Sequence, residues 1–159
     1  MKKTILIVLG GGGHTQQMLI LAERLKEKYN IEYVIKKGGK KGGKKLEGKI
    51  FKIIDPRKMK DYNKAVVILK LIPYSIQAFK ILSKSKAQAI IICGPAVSVP
   101  LAFLGKIFFR KKIIFIESWS RVKSKSLSGK LINPFSDLIF VQWKKNKEYK
   151  KAIYAGRLG

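Results

Sequence analysis

The stretch that most constrains this chain is TILIVLGGGGHTQQMLIL, residues 4–21. Residues 4–9 are apolar or β-branched throughout, which suits a strand buried within a parallel sheet. Four glycines follow, Gly10 to Gly13. After His14 and Thr15, the residues Met18, Leu21, Ala22 and Leu25 recur at i, i+3, i+4 and i+7, the period of a helix with one buried face. A strand, a glycine turn and a helix start are therefore predicted in that order. Glycine lets the backbone take positive φ and lets a ligand come close. The first turn of a helix offers unpaired N–H groups and partial positive charge. An anion or a polar sugar group can dock at such a mouth, and His14, the only histidine of the chain, stands there.

The pattern repeats. Strands are predicted at 31–35, 50–54, 89–93, 113–116 and 138–141, and helices at 15–28, 64–83, 97–109 and 128–134. Strands alternating with helices predict an α/β fold with right-handed crossovers: a single Rossmann-like, doubly wound parallel sheet in one domain, residues 1–159. Open sheets of this kind bind ligands at the carboxyl ends of their strands. That rule singles out the loop of Glu117, Ser118, Trp119, Ser120 and Arg121 after the fifth strand. The helix at 64–83 is apolar almost all round, with a thin polar stripe of Lys70, Gln77, Lys80 and Lys84, and Pro73 predicts a kink in it. Such a helix is deeply buried or touches lipid or a partner. The helix at 97–109 is equally apolar, carries Pro100 in its first turn, and ends in Lys106, Arg110, Lys111 and Lys112, a combination suited to a bilayer interface. The charge-free run 87–105 is nominally long enough to span a membrane. Gly94-Pro95 and Pro100 would break it, so strand, loop and helix are expected instead. Residues 36–49, KKGGKKGGKKLEGK, cannot bury apolar surface and predict a mobile loop that is either solvated or wraps anions or faces a membrane.

Thirty-five lysines and arginines against nine acidic residues give a net charge of +26. Acidic partners follow: nucleic acid, an anionic membrane surface or phosphorylated substrates. A hot habitat or an AT-rich coding bias would also enrich lysine. Cys93, in AIIIC, is expected as a small apolar core residue in a reducing compartment. One cysteine and one histidine exclude a metal cluster of those ligands. The dinucleotide fingerprint fails, because counting from Gly10 or Gly11 puts Thr15 or Gln16 where its last glycine belongs, and the second strand ends in Ile35-Lys36 rather than at an acidic residue. The P-loop and the G-x-S-x-G elbow are absent too. What remains is His14, as a general base or as a residue that orients the loop, and Glu117, as an acceptor for sugar hydroxyls, a base, or a salt-bridge partner of Arg121. A basic nucleic-acid-binding module is the alternative from another class, although the aromatic residues fall in strands and apolar helices rather than between the lysines.

Several motifs in order carry a family resemblance: Gly12-Gly13-His14-Thr15 with Met18-Leu19; Gly94-Pro95 followed by Val99-Pro100-Leu101; Ile116-Glu117-Ser118 with Arg121; Leu127-Ser128-Gly129-Lys130-Leu131; Asp137; Val141-Gln142-Trp143; and Tyr154-Ala155-Gly156-Arg157-Leu158. Over essentially its whole length the chain resembles the acceptor-side, membrane-recruiting subunit of the two-subunit UDP-N-acetylglucosamine transferase of dolichol-linked oligosaccharide assembly. That family is similar to the N-terminal half of a GT-B glycosyltransferase. The resemblance implies that a separate donor-binding subunit supplies the UDP-N-acetylglucosamine site, so that no cofactor is bound by this chain. It implies a polyprenyl-linked sugar acceptor, with His14 and Glu117 as catalytic candidates and Gly11, Gly12, Gly13, Thr15, Gly94, Ser118 and Arg121 as substrate-binding ones. Gly156, Arg157, Leu158 and Gly159 would dock the partner. Eukaryotic members carry a membrane-spanning helix before the first strand, where this sequence has Lys2 and Lys3. Peripheral attachment at the cytoplasmic face, through the two apolar helices and the lysine clusters on an anionic surface, is expected instead, with no specific nucleic acid.

Overall fold

The computed structural model describes residues 1–38, 46–54, 64–94, 98–146 and 149–158, with side chains for all of these except 64–71. Most of the lysine–glycine stretch at 36–49, the basic linker before residue 64, Pro95 and Gly159 lie outside the described residues. The elements are β1 (Thr4–Leu9), α1 (Gly13–Leu25), β2 (Asn30–Lys36), β3 (Lys49–Ile53), α2 (Lys64–Lys84), β4 (Ala89–Cys93), α3 (Ser98–Ile107), β5 (Lys112–Ile116), α4 (Leu127–Ile132), β6 (Leu138–Val141) and β7 (Ile153–Tyr154). The strands form one sheet in the order β3-β2-β1-β4-β5-β6-β7, and every pairing is parallel.

Period-two alternation divides the core in two. Leu6 and Val8 of β1, Ile90 and Ile92 of β4, and Ile113 and Phe115 of β5 point to one side, where α2, α3 and α4 supply Ala78, Leu82, Leu101 and Ile132. Ile5, Ile7, Leu9, Ile91, Cys93 and Ile116 point to the other, where α1 supplies Met18, Leu19 and Ala22. Each face of the sheet is apolar because each is covered, which is why these strands read as unbroken hydrophobic runs.

Helix α1 starts two residues earlier than its periodicity predicts. Gly12, at φ 55°, takes the N-cap position, and its carbonyl accepts from Thr15 N and Gln16 N at 3.1 and 3.4 Å. The helix closes at Leu25, whose carbonyl takes the N–H groups of Lys28 and Tyr29. Helix α2 runs as one element through Pro73. The seventh strand was not expected: two residues, both exposed, carry no alternation to read. No described helix is long and apolar enough to cross a membrane. Strand order reverses between β1 and β4, and this switch point fixes where the loops after those strands meet.

Candidate functional site

The glycine loop after β1, Gly94 after β4, the Glu117–Arg121 turn after β5 and Gln142 and Trp143 at the end of β6 meet at the carboxyl edge of the sheet. Gly11, Gly12 and Gly13 are exposed, with φ of 133° at Gly11 and 55° at Gly12. Among the described residues no side chain caps α1, so the partial positive charge of its first turn is left to the crevice. Thr15 is buried. His14, half-buried, lies across the top of β4. A Cβ at Gly94 would overlap its ring, and Gly94 has φ 89°, so glycine is needed there twice over. Nδ1 of His14 stands 3.8 Å from Cys93 Sγ. Burial, and then the charge of Glu117, push the Cys93 thiol up to about 12. It is therefore a neutral packing group rather than a nucleophile.

Glu117 is fully buried. Its carboxylate accepts from Ser118 N at 2.9 Å, Ser126 N at 2.9 Å, Ser126 Oγ at 3.1 Å and Tyr149 OH at 2.5 Å. Four donors compensate the burial of the charge. The pairing with Arg121 considered from the sequence is not the arrangement found: Arg121 is exposed, while its backbone holds the loop through Arg121 N to Ser118 O and Asn146 Nδ2 to Arg121 O. Glu117 thus ties down residues 118–126 from below, and Ser118, also buried, bonds Ser120 across the turn at 3.1 Å. The structure brings His14 against buried Gly94 beside the exposed glycine loop, and sets Glu117 among Ser118, Ser126 and Tyr149.

Gln17 escaped the sequence reading. It is 2 % exposed, donates to Gly13 O at 3.2 Å, and accepts from Trp119 N at 3.3 Å and from Gln142 Nε2. The signal for it was a polar residue four before Leu21, on the face of α1 that faces the sheet. Trp119 is half exposed, with its indole nitrogen 3.7 Å from where a Gly13 Cβ would stand. Beside these residues, on the α1 side of the sheet, an apolar groove of about 430 Å³ runs between Leu21, Leu25, Ile114 and Phe140, with Arg24, Arg157 and Leu158 along its edge. Gly156 takes φ 91° where this last segment turns.

The sequence matches the family described as "Oligosaccharide biosynthesis protein Alg14 like" over residues 5–158. It is 31% identical to the UDP-N-acetylglucosamine transferase subunit alg14 of Schizosaccharomyces pombe, covering 98% of this chain and 83% of that one. It is 32% identical to the subunit of the same name in Rattus norvegicus, covering 97% and 82%. Among solved structures, Acinetobacter baumannii MurG superposes with a TM-score of 0.73 at 12% identity, over 96% of this chain and 44% of MurG. LpCGTa in complex with UDP superposes with a TM-score of 0.65 at 10% identity, over all of this chain and 53% of that one. The chain thus spans about half the length of these structures and has the Rossmann-like fold of one half of a GT-B glycosyltransferase. With its family match running from β1 to the last described residue, the chain belongs to the Alg14-like family of oligosaccharide biosynthesis proteins.

Proposed function

We propose that this chain is the non-donor subunit of a two-chain glycosyltransferase. It binds a lipid-linked sugar acceptor and holds a donor-binding subunit at the cytoplasmic face of the membrane, for transfer of N-acetylglucosamine from UDP-N-acetylglucosamine. The observation that carries this reading is the crevice itself. In a chain of this family, an exposed glycine loop, an uncapped helix start and the only histidine meet at the switch point of the sheet. The relatives' name, as subunits of a UDP-N-acetylglucosamine transferase, supports the division of labour. So does the extent of the match, which spans about half of each two-domain GT-B neighbour.

The mechanism assigned to the crevice is general-base help to the acceptor hydroxyl. Nδ1 of His14 faces Cys93, so Nε2, across the ring, is the nitrogen assigned to the acceptor proton. A histidine ring suits that task because one of its nitrogens can accept a proton while the other is held. Glu117 holds the Ser118–Arg121 turn in place and does not touch the acceptor. The first-turn amides of α1 and the exposed Arg121 guanidinium attract phosphate or sugar oxygens. Gly156–Leu158, beside the apolar groove, form the docking edge for the partner. Activity is assigned to the pair.

Attachment to the membrane is assigned to the α2–α3 face. Ile72, Ile76 and Phe79 form an exposed stripe at i, i+4 and i+7 on α2; Phe103, Ile107 and Phe108 are exposed on and just after α3. Phe79 meets Phe108 edge-on at 6.1 Å. Lys80, Lys84, Arg110 and Lys112 are exposed around them, and each basic group near an anionic surface contributes about 1 kcal/mol. The family match does not favour the nucleic-acid alternative.

The test is a tagged pull-down from detergent-solubilised membranes, followed by a transfer assay with UDP-N-acetylglucosamine. A glycosyltransferase subunit is expected to copurify, and His14→Gln is expected to leave assembly intact while lowering kcat by roughly 100-fold or more. Recovery of no such subunit would overturn the half-enzyme reading, and unchanged turnover in His14→Gln would remove the base.

A further inference from the structure

We propose that Gln17 and Gln142 are positioning residues that make the geometry of the crevice depend on how residues 157 and 158 are seated. The proposal deepens the reading above, resting on the crevice as the acceptor site and on 156–158 as the docking edge.

Two paths run from that edge to the turn at Trp119. In the first, Gln142 accepts from Leu158 N at 2.8 Å and donates through Nε2 to Glu117 O at 2.9 Å and to Gln17 Oε1. Gln17 in turn accepts from Trp119 N and donates to Gly13 O. In the second, the Arg157 guanidinium lies 4.6 Å over the Trp143 ring, and Trp143 Nε1 donates to Trp119 O. The backbone of Trp119 is therefore held on both sides of its Cα, its N–H by one path and its carbonyl by the other.

The buried amides have a direction. Gln17 and Gln142 are 2 % and 3 % exposed, and an unpaired amide buried this deeply is costly. Flipping the Gln142 amide would set its NH₂ against the N–H of Leu158 and its oxygen against the carbonyl of Glu117. The seated Leu158 N–H thus selects the orientation that offers Nε2 to Gln17, and Gln17 keeps its oxygen for Trp119. Glu117 O favours the same orientation; when Leu158 shifts, that carbonyl is left to hold the Gln142 amide without its second partner, and the wall formed by Trp119 and Gly13 loosens. Gripping residues 157–158 tightens the wall, so partner docking improves acceptor binding rather than donor binding.

The experiment uses the full chain, ¹⁵N-labelled and alone. It has two tryptophans and one histidine, so the two indole N–H signals and the ring signals of His14 are separately assignable. Leu158→Pro removes one donor, Gln142→Met removes the amide, and Arg157→Ala removes the stacked cation at an exposed position that cannot unfold the chain. Each is expected to move the Trp119 indole signal, and the first two the His14 signals as well. Gln17→Met, which removes both the acceptor and the donor, is expected to move the Trp119 signal in the same way. Trp119 and His14 signals left in place by Arg157→Ala and Leu158→Pro would overturn the proposal. In the assembled transferase at saturating partner, Gln142→Met is expected to raise the acceptor KM by roughly tenfold or more, as loss of positioning does, with the UDP-sugar KM unchanged; equal rises in both KM values would also overturn it. Wild-type chains that show the coupled signals yet transfer no sugar with any copurifying partner would support the relay and sink the acceptor-site reading instead.

Discussion

Gly129 has no room for a side chain. A Cβ there would overlap Tyr149 OH and stand 2.8 Å from Glu117 Oε2 and 3.0 Å from Ser126 Oγ. The residue keeps α4 close enough for the Glu117 carboxylate to collect its donors. Gly129→Ala is expected to destabilise the chain by about 2 kcal/mol, the scale of overpacking in a filled site. Tyr149→Phe alone removes a hydrogen bond to a charged group, about 1.5–3 kcal/mol. Together the two should cost less than their sum, because the missing hydroxyl makes way for the new methyl. Urea unfolding of the four-member cycle measures this, and strictly additive losses would contradict the packing described. At this scale the sequence was only half legible. The glycine loop and His14 announce themselves by neighbours in the chain. Apart from adjacent Ser118, the donors to the Glu117 carboxylate lie 9 and 32 residues away, and the partners of Gln17 up to 125. No local pattern reveals that Glu117 is a buried anchor or that a glutamine on an apolar helix face is fully satisfied.

Elements were far easier to read, because each carries its own period. β1, β4 and β6 fall where their apolar runs stand, and α2 runs from Lys64 to Lys84 because nothing in that stretch breaks the apolar pattern except Pro73. β7 was missed because two exposed residues have no period. How elements lock together is written in single charges, of which Asp137 is the clearest. It stands just before β6, accepts from Lys106 Nζ at 2.6 Å and from Ile113 N at 2.8 Å, and lies 3.5 Å from Lys112 Nζ. It thereby fastens the last turn of α3 to β5. Burial works to raise its pKa, but the hydrogen bonds from Lys106 and Ile113 and the two lysine charges outweigh it, and the carboxyl is held below the usual range. A depressed carboxyl stabilises the fold above its unfolded pKa, near 4, and that contribution is lost as pH falls through the lower, folded value. Asp137→Asn is expected to cost about 1–2 kcal/mol at pH 7, with the gap to wild type closing below about pH 4. Denaturant midpoints across pH 2–7 check this, and a gap that stayed constant would refute the assignment.

The whole molecule has two unlike faces. On one, α1 and the 155–158 segment flank an apolar groove; on the other, α2 and α3 present phenylalanines ringed by lysine and arginine. If the second is the membrane face, Phe79→Ser with Phe108→Ser should lower binding to vesicles containing anionic lipid by at least about tenfold, since burying one such ring is worth roughly 1.5–3 kcal/mol. Raising salt should weaken what binding is left, as screening shortens the reach of the basic rim. Sedimentation with vesicles measures both, and wild-type binding by the double variant would move the attachment elsewhere. The charge of +26 hinted at an acidic surface from the outset, but only the packing of α2 against α3 shows which basic residues surround apolar ones. One more consequence follows from the bond between Leu158 and Gln142. As the chain is synthesised, β1, the glycine loop and α1 emerge first, yet Gln17 and Glu117 wait for Gln142 and Tyr149, and Gln142 in turn for Leu158. A growing polypeptide can lay down most of its sheet long before its crevice takes shape, so truncated translation products would fold in part and carry no finished site.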